Sequence, residues 1–86
     1  LVLEKVPPTL AERVAKSITI PVIGIGAGGG VDGQVLVTHD MLGMTHEFHP
    51  RFLRRYLDLY SEMTTAFESY ITDVKSKDFP SEKEQY

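Results

Sequence analysis

Between Ile20 and Gly33 an apolar run dissolves into glycine, and no other stretch restricts the fold of this chain so strongly. Residues 22–25 read Val-Ile-Gly-Ile, bounded by Pro21 on one side and by Gly26, Gly28, Gly29 and Gly30 on the other. That is the pattern of a short strand buried on both faces. Five of the chain's seven glycines follow Ile25 by position 33. Glycine has no Cβ and tolerates positive φ, so the backbone at such a strand end can approach a ligand closely. A functional site is expected there.

The segments on either side fit an α/β pattern. Residues 1–4 form an apolar strand ending in Glu4, and Pro7-Pro8-Thr9 then punctuates the chain. Over residues 9–18, Leu10, Val14 and Ile18 recur at helical spacing, with Glu12 and Lys16 paired outside. Thr19-Ile20-Pro21 ends this helix before a second strand over 21–26, so the first part reads as a right-handed βαβ unit with parallel strands. Residues 33–42 are ambiguous, because Val35 to Val37 has β-type chemistry. Asp32 as N-cap, Gly43 as C′ residue and a shared face for Val35, Leu36, His39 and Leu42 favour a short helix, whose N-terminus would offer N–H groups to an anion.

From Pro50 at N1, the series Phe52, Tyr56, Leu59, Met63, Phe67, Tyr70 and Val74 predicts one long helix over residues 50–75. A second series, Leu53, Leu57, Tyr60 and Ile71, widens its apolar stripe beyond a single contact face. Residues 76–86 are charged, carry Pro80 and read as an extended surface tail.

Composition narrows the function classes. Without cysteine there is no disulfide framework and no thiolate metal site, and a reducing cytoplasm fits. A formal charge of −3 argues against a nucleic-acid surface. No apolar run approaches the roughly 20 residues of a membrane span, and no targeting signal is readable. The chain opens in mid-strand without Met, and two strands with one crossover helix cannot cover both sheet edges. The expectation is therefore the C-terminal piece of a larger protein.

Three constellations carry potential chemistry. Gly24-Ile25-Gly26-Ala27-Gly28-Gly29 satisfies G-x-G-x-x-G formally, but Gly30 and Gly33 prevent a helix from opening on it and no second strand ends in an acid near Glu47. A dinucleotide reading is thus weak, and no P-loop sequence is present. Glu4 follows an apolar strand directly, where parallel α/β folds build active sites, and partial burial there would raise its pKa and suit it to general-base work. The competing reading is a solvated residue or a partner for Lys5 or Arg13. His39, His46 and His49, with Glu47, are too loosely spaced to argue for a metal site.

Leu1-Val2-Leu3-Glu4 with Val6-Pro7, then Ile20 through Gly28, then Asp32-Gly33-Gln34-Val35-Leu36-Val37 with His39-Asp40 and Gly43, resemble the C-terminal third of the ketopantoate hydroxymethyltransferase (3-methyl-2-oxobutanoate hydroxymethyltransferase) family. Phe79-Pro80 before an acidic tail is similar to the family's ending, although the His-Ser pair common there is lacking. The resemblance implies a (β/α)8 TIM barrel of the phosphoenolpyruvate/pyruvate superfamily, with the two strands as its seventh and eighth. It implies a transferase that moves a hydroxymethyl group from 5,10-methylenetetrahydrofolate to 3-methyl-2-oxobutanoate, a 2-oxo acid, giving 2-dehydropantoate for pantothenate and coenzyme A synthesis.

By the same resemblance Glu4 is the proton acceptor, and Mg2+ holds the keto acid through ligands upstream, with none in this chain. Gly24, Ile25, Gly26, Val35 and Val37 are expected to contact substrate. Catalysis would require the N-terminal portion of the protein, and the assembly would be a cytoplasmic homodecamer. Lys5 stands where the family often has Cys; its ammonium would lower the pKa of Glu4 if it turned inward, whereas strand alternation turns it away. Two other readings stand beside this one: another lyase or mutase of the superfamily acting on a different 2-oxo acid, and a non-catalytic segment that docks through its long helix.

Overall fold

The apolar runs at 1–4 and 21–26 pair as parallel strands. A computed structural model describes all of residues 1–86. In it β1 (Val2–Glu4) lies beside β2 (Ile23–Ile25), with Val2 opposite Ile23, Leu3 opposite Gly24 and Glu4 opposite Ile25. Helix α1 (Pro8–Ser17) makes the crossover, with proline in its first turn where a missing N–H costs nothing. Ala11 of α1 and Val22 before β2 are fully buried. Outside, Lys16 Nζ lies 2.7 Å from Glu12 and holds that carboxyl below its usual range. Both groups are exposed, so the pair contributes little to stability.

Residues 33–42 do not form one helix. Gly33–Gln34 is instead a third strand, β3, parallel to β2 in the sheet order β1-β2-β3. The outer edge of β2 decides this. Asp32 and Gly33 donate their N–H groups to Val22 O at 2.9 and 3.2 Å, and Val35 donates to Gly24 O at 2.9 Å. Spacing these donors along the edge of β2 requires extended backbone through residues 33–35, which a helix cannot supply, and β-branched Val35 suits it. Asp32, expected as an N-cap, accepts the Val22 N–H on Oδ2 at 2.7 Å.

Helical structure is confined to α2 (Thr38–Met41). Gly43 does close it as expected. Met44 N–H donates to His39 O at 2.9 Å and Gly43 N–H to Asp40 O at 3.2 Å, the paired bonds of a Schellman end, with Gly43 at φ +67°.

The long helix starts later than its apolar spacing predicts. α3 spans Leu59–Lys75, and residues 50–58 are turns. The α2 terminus sets this start. Tyr56, Leu59 and Tyr60 donate N–H groups to the carbonyls of Met41, Leu42 and Gly43 at 2.8, 2.9 and 3.0 Å. Carbonyls left free at one helix end thus meet amides left free at the start of the next. A Cβ on Gly43 would fall 2.2 Å from Leu57 O, so only glycine permits the junction. Asp58 then caps α3, accepting from Ser61 N–H at 3.3 Å and from its hydroxyl at 2.8 Å.

The tail is more ordered than an extended end. Ser81 and Glu84 form a capping box around one 3-10 turn, Glu82–Glu84, and Phe79 meets Tyr70 edge-on at 5.6 Å. Overall the chain is long: its radius of gyration is 21.3 Å, against about 12 Å for a compact chain of this length. α3 accordingly leaves Phe67, Tyr70, Ile71 and Val74 exposed.

The cap is open to a direct test. Hydrogen bonds from Ser61 hold the Asp58 carboxyl below its usual range. Its stabilisation is therefore present above the ordinary carboxylate pKa and lost as pH falls through the lowered folded value. In the full-length protein, Asp58→Ala should speed exchange of the Ser61 amide at neutral pH, whereas Asp58→Asn should retain protection at neutral pH and lose its dependence on acidification. Equal exchange in all three proteins would remove Asp58 from this role.

Candidate functional site

Two strand ends and one loop build the site. Glu4 closes β1 opposite Ile25, exposed and without a hydrogen-bonding or ionic side-chain partner. Lys5 N–H donates to Ile25 O at 2.9 Å, and Lys5 takes φ 52°, so the chain leaves the sheet immediately after the carboxylate. Neither Lys5 nor Arg13 pairs with Glu4; the one ion pair in the structure is Glu12 with Lys16. The burial expected of a general base is not supplied by residues 1–86.

At the end of β2 the glycine loop, residues 26–32, turns back to meet β3. No helix opens on the glycines, so the dinucleotide geometry is absent. Much of the glycine content serves packing instead. Gly28 has φ +80°, and a Cβ there would sit 2.6 Å from Pro8 Cβ at the start of α1. Gln34 Nε2 donates to Gly28 O at 2.8 Å and ties the loop to β3.

Over this strand end lies an open groove. One part, about 440 Å3, is lined by Gly26, Gly28, Gly29, Gln34 and Phe52. The adjoining part, about 340 Å3, shares Gly26, Gln34 and Phe52 and adds Val35, Leu36, Arg54 and Tyr56. The Phe52 ring stands directly over Gly26, where a Cβ would come within 3.1 Å of its Cγ.

Gly26 and Val35 are thus brought together at the groove. Gly24 is buried within the sheet, Ile25 is half-buried beside the groove, and Val37 is exposed at the entry to α2; none of these three lines it. Sequence reasoning missed Gln34, Leu36, Phe52, Arg54 and Tyr56. Phe52 and Tyr56 were hidden by the helical series they seemed to begin. Nothing local opposed that series, since Arg51, Arg54 and Arg55 after Pro50 also share one helical face.

Arg55 shows what that segment does instead. Its Nη2 donates to the carbonyls of Thr45, Phe48 and His46 at 2.5, 2.9 and 3.3 Å, fixing the preceding loop. His46 stacks on Tyr60 with centroids 4.5 Å apart. Nowhere do three or more His, Asp or Glu side chains come together in a way that could hold a metal ion.

Comparison with known proteins decides the family. The family model described as ketopantoate hydroxymethyltransferase matches residues 1–82. The chain belongs to the ketopantoate hydroxymethyltransferase family. It is 76% identical over 86 residues to the 3-methyl-2-oxobutanoate hydroxymethyltransferase of Christiangramia forsetii. Proteins of the same name from Flavobacterium johnsoniae and Bacteroides thetaiotaomicron are 71% and 70% identical over the same 86 residues. In each case all of this chain is covered, and it spans 32% of the relative's length. No helix is long and apolar enough to cross a membrane.

For a family member built this way, the groove floor depends on Gly28 lying against α1. Gly28→Ala in the full-length protein should cost about 1–3 kcal/mol, because it combines a left-handed backbone with a steric clash. Chemical denaturation monitored by circular dichroism would measure it. An unchanged midpoint would show that the loop does not need this approach.

Proposed function

We propose that the complete protein transfers a hydroxymethyl group from 5,10-methylenetetrahydrofolate to 3-methyl-2-oxobutanoate, giving 2-dehydropantoate for pantothenate and coenzyme A synthesis. The observation that carries this reading is the placement of Glu4. Its carboxylate stands at the C-terminal end of β1, one strand from the glycine-floored groove at the same end of β2. Ligands of parallel α/β folds bind at that end.

In this reading Glu4 accepts the C3 proton of the keto acid. Water adds to the methylene bridge of the donor and tetrahydrofolate leaves with both nitrogens protonated, freeing the one-carbon unit at the aldehyde level. The carbanion equivalent at C3 then bonds to that carbon, and the resulting alkoxide takes up a proton to become the hydroxyl. An exposed carboxylate is a poor base for carbon, so neighbouring residues beyond this segment would close over Glu4 and exclude water from it. Gly24, Ile25, Gly26, Val35 and Val37 would form the small and apolar surroundings of the substrate's isopropyl group. Mg2+, when bound by ligands outside these residues, would polarise the keto acid.

The remainder of a (β/α)8 barrel of the phosphoenolpyruvate/pyruvate superfamily is the proposed cover for the free faces of this segment. The segment exposes 6996 Å2, whereas a compact protein of 9.6 kDa exposes about 5,100 Å2. The excess, roughly 1,900 Å2 on this one partner, is more than twice the about 800 Å2 per partner of a standard interface and is of the size that large permanent interfaces remove from water. Packing within a cytoplasmic homodecamer would take up the rest of the α3 stripe.

Glu4→Gln in the full-length protein should leave keto-acid binding within about twofold and slow exchange of the C3 proton by about 100-fold or more, the scale of a lost general base. Exchange followed by proton NMR in heavy water would measure it. An unchanged exchange rate would remove Glu4 from the base role.

A further inference from the structure

Two residues other than glycine take left-handed backbone, Lys5 at φ 52° and Lys77 at φ 64°. Lys77 is accounted for by its place. It is the second residue after α3, where a helix end commonly turns left-handed, and its N–H donates to Val74 O at 3.2 Å. Lys5 has no such reason. It follows a strand directly, and a residue with a Cβ is held there against a steric cost that glycine would avoid. Its side chain does not account for the turn either, being exposed and outside the chain's one ion pair.

What surrounds Lys5 is stiff. Before it, β1 is paired along its whole length with β2, and the Lys5 N–H extends that pairing by one bond, to Ile25 O at 2.9 Å. After it, Val6 precedes a proline and is confined to extended backbone, while Pro7 (φ −56°, ψ 136°) and Pro8 have φ fixed by their rings. Pro7 O accepts from the Leu10 and Ala11 N–H groups at 3.0 and 3.1 Å, so this run belongs to the start of α1, with Ala11 fully buried. One stiff body therefore ends at Glu4 and the next begins at Val6. Lys5 is the joint between them.

We infer that Lys5 is a positioning residue: its left-handed backbone, kept narrow by a Cβ, fixes the angle at which the chain leaves β1 and so holds the Glu4 carboxylate at the strand mouth. A side chain leaves residue 5 one small left-handed well, whereas glycine spreads over both signs of φ. With glycine at the joint, the last pair of β1, Glu4 opposite Ile25, frays. The charge of Lys5 plays no part. The consequence for chemistry rests on the reading of Glu4 as the base: reacting atoms must stand about 3–3.5 Å apart, and a misplacement of about 1 Å costs up to about a hundredfold in rate.

The test uses the full-length protein and two readouts. One is exchange of the C3 proton of 3-methyl-2-oxobutanoate in heavy water, and the other is the hydrogen-exchange protection factor of the residue-5 amide without substrate. Lys5→Gly should lower that protection about tenfold, the effect of a locally opening strand end. It should slow C3 exchange about tenfold to a hundredfold at saturating keto acid, with KM within about twofold. Its chemical-denaturation midpoint should stand at or above that of the unmodified protein, because glycine relieves the left-handed cost. Lys5→Asn keeps a Cβ, tolerates left-handed backbone and carries no charge, so both readouts should stay within about twofold. An unchanged C3 rate in Lys5→Gly, an equal loss in Lys5→Asn, or a lowered midpoint accompanying the loss would overturn the assignment. Failure of the base reading is distinguishable. If Glu4→Gln exchanges the C3 proton at the unmodified rate, that reading falls and the joint is judged on the amide alone: lower protection in Lys5→Gly than in Lys5→Asn keeps it, and equal protection ends it.

Discussion

A reciprocal pair of hydrogen bonds between Val22 and Asp32 holds the site in shape. The Val22 N–H donates to the Asp32 carboxylate at 2.7 Å, and the Asp32 N–H donates back to Val22 O at 2.9 Å. This closes the glycine loop at its base. Parallel strands ordinarily need a crossover of about a dozen residues or more, because the chain must travel back the length of a strand. Here residues 26–32 suffice, since the strands are short and the closure brings the loop's end to the start of β2. Everything above the closure follows from it. The loop lies on α1, Gln34 is delivered to the groove wall, and Gly26 is left bare beneath Phe52.

The first half of the fold was legible because its signals are local. Apolar β-type runs, a Pro-Pro-Thr helix start and period-four spacing identify β1, α1 and β2 within a residue or so of their bounds. The helical expectation for residues 33–42 failed for a reason that window-based reading cannot detect. Asp32 has the chemistry of an N-cap, but its carboxylate found a donor ten residues back, and pairing with the free edge of β2 drew residues 33–35 into extended backbone. The β-type chemistry of Val35 to Val37 was the truer signal.

The start of α3 was misplaced for the opposite reason: its periodicity is real but carries no information about where helix begins. Phe52 and Tyr56 are in phase with Leu59, Met63 and Phe67, yet they belong to turns that pass back over α2. What selects Leu59 is the meeting of free carbonyls at 41–43 with the amides of Tyr56, Leu59 and Tyr60, with Asp58 in place to cap. The same misplacement concealed Phe52, Arg54 and Tyr56, three of the nine residues that line the groove. Phe52 and Tyr56, read as one face of a helix, are its aromatic wall. Glu4 and Gly26, by contrast, could be located at once, because a strand end is visible in the sequence wherever an apolar run stops.

This division of labour has a consequence for how the site works. Glu4, at the end of β1, has no partner of its own in the segment and is held only through backbone pairing with β2. The groove residues are fixed by contacts within the segment: Gln34 on Gly28, Phe52 over Gly26, and the 45–48 loop on Arg55. The shape of the groove is therefore built into these residues. The surroundings of Glu4 are not, because these residues leave its carboxylate exposed. On the proposed reading, closing the remaining strands of a barrel around Glu4 would cover the carboxylate at the same moment as it completes the keto-acid pocket. Coupling those two events would keep an uncovered carboxylate from acting on substrate before the site is whole.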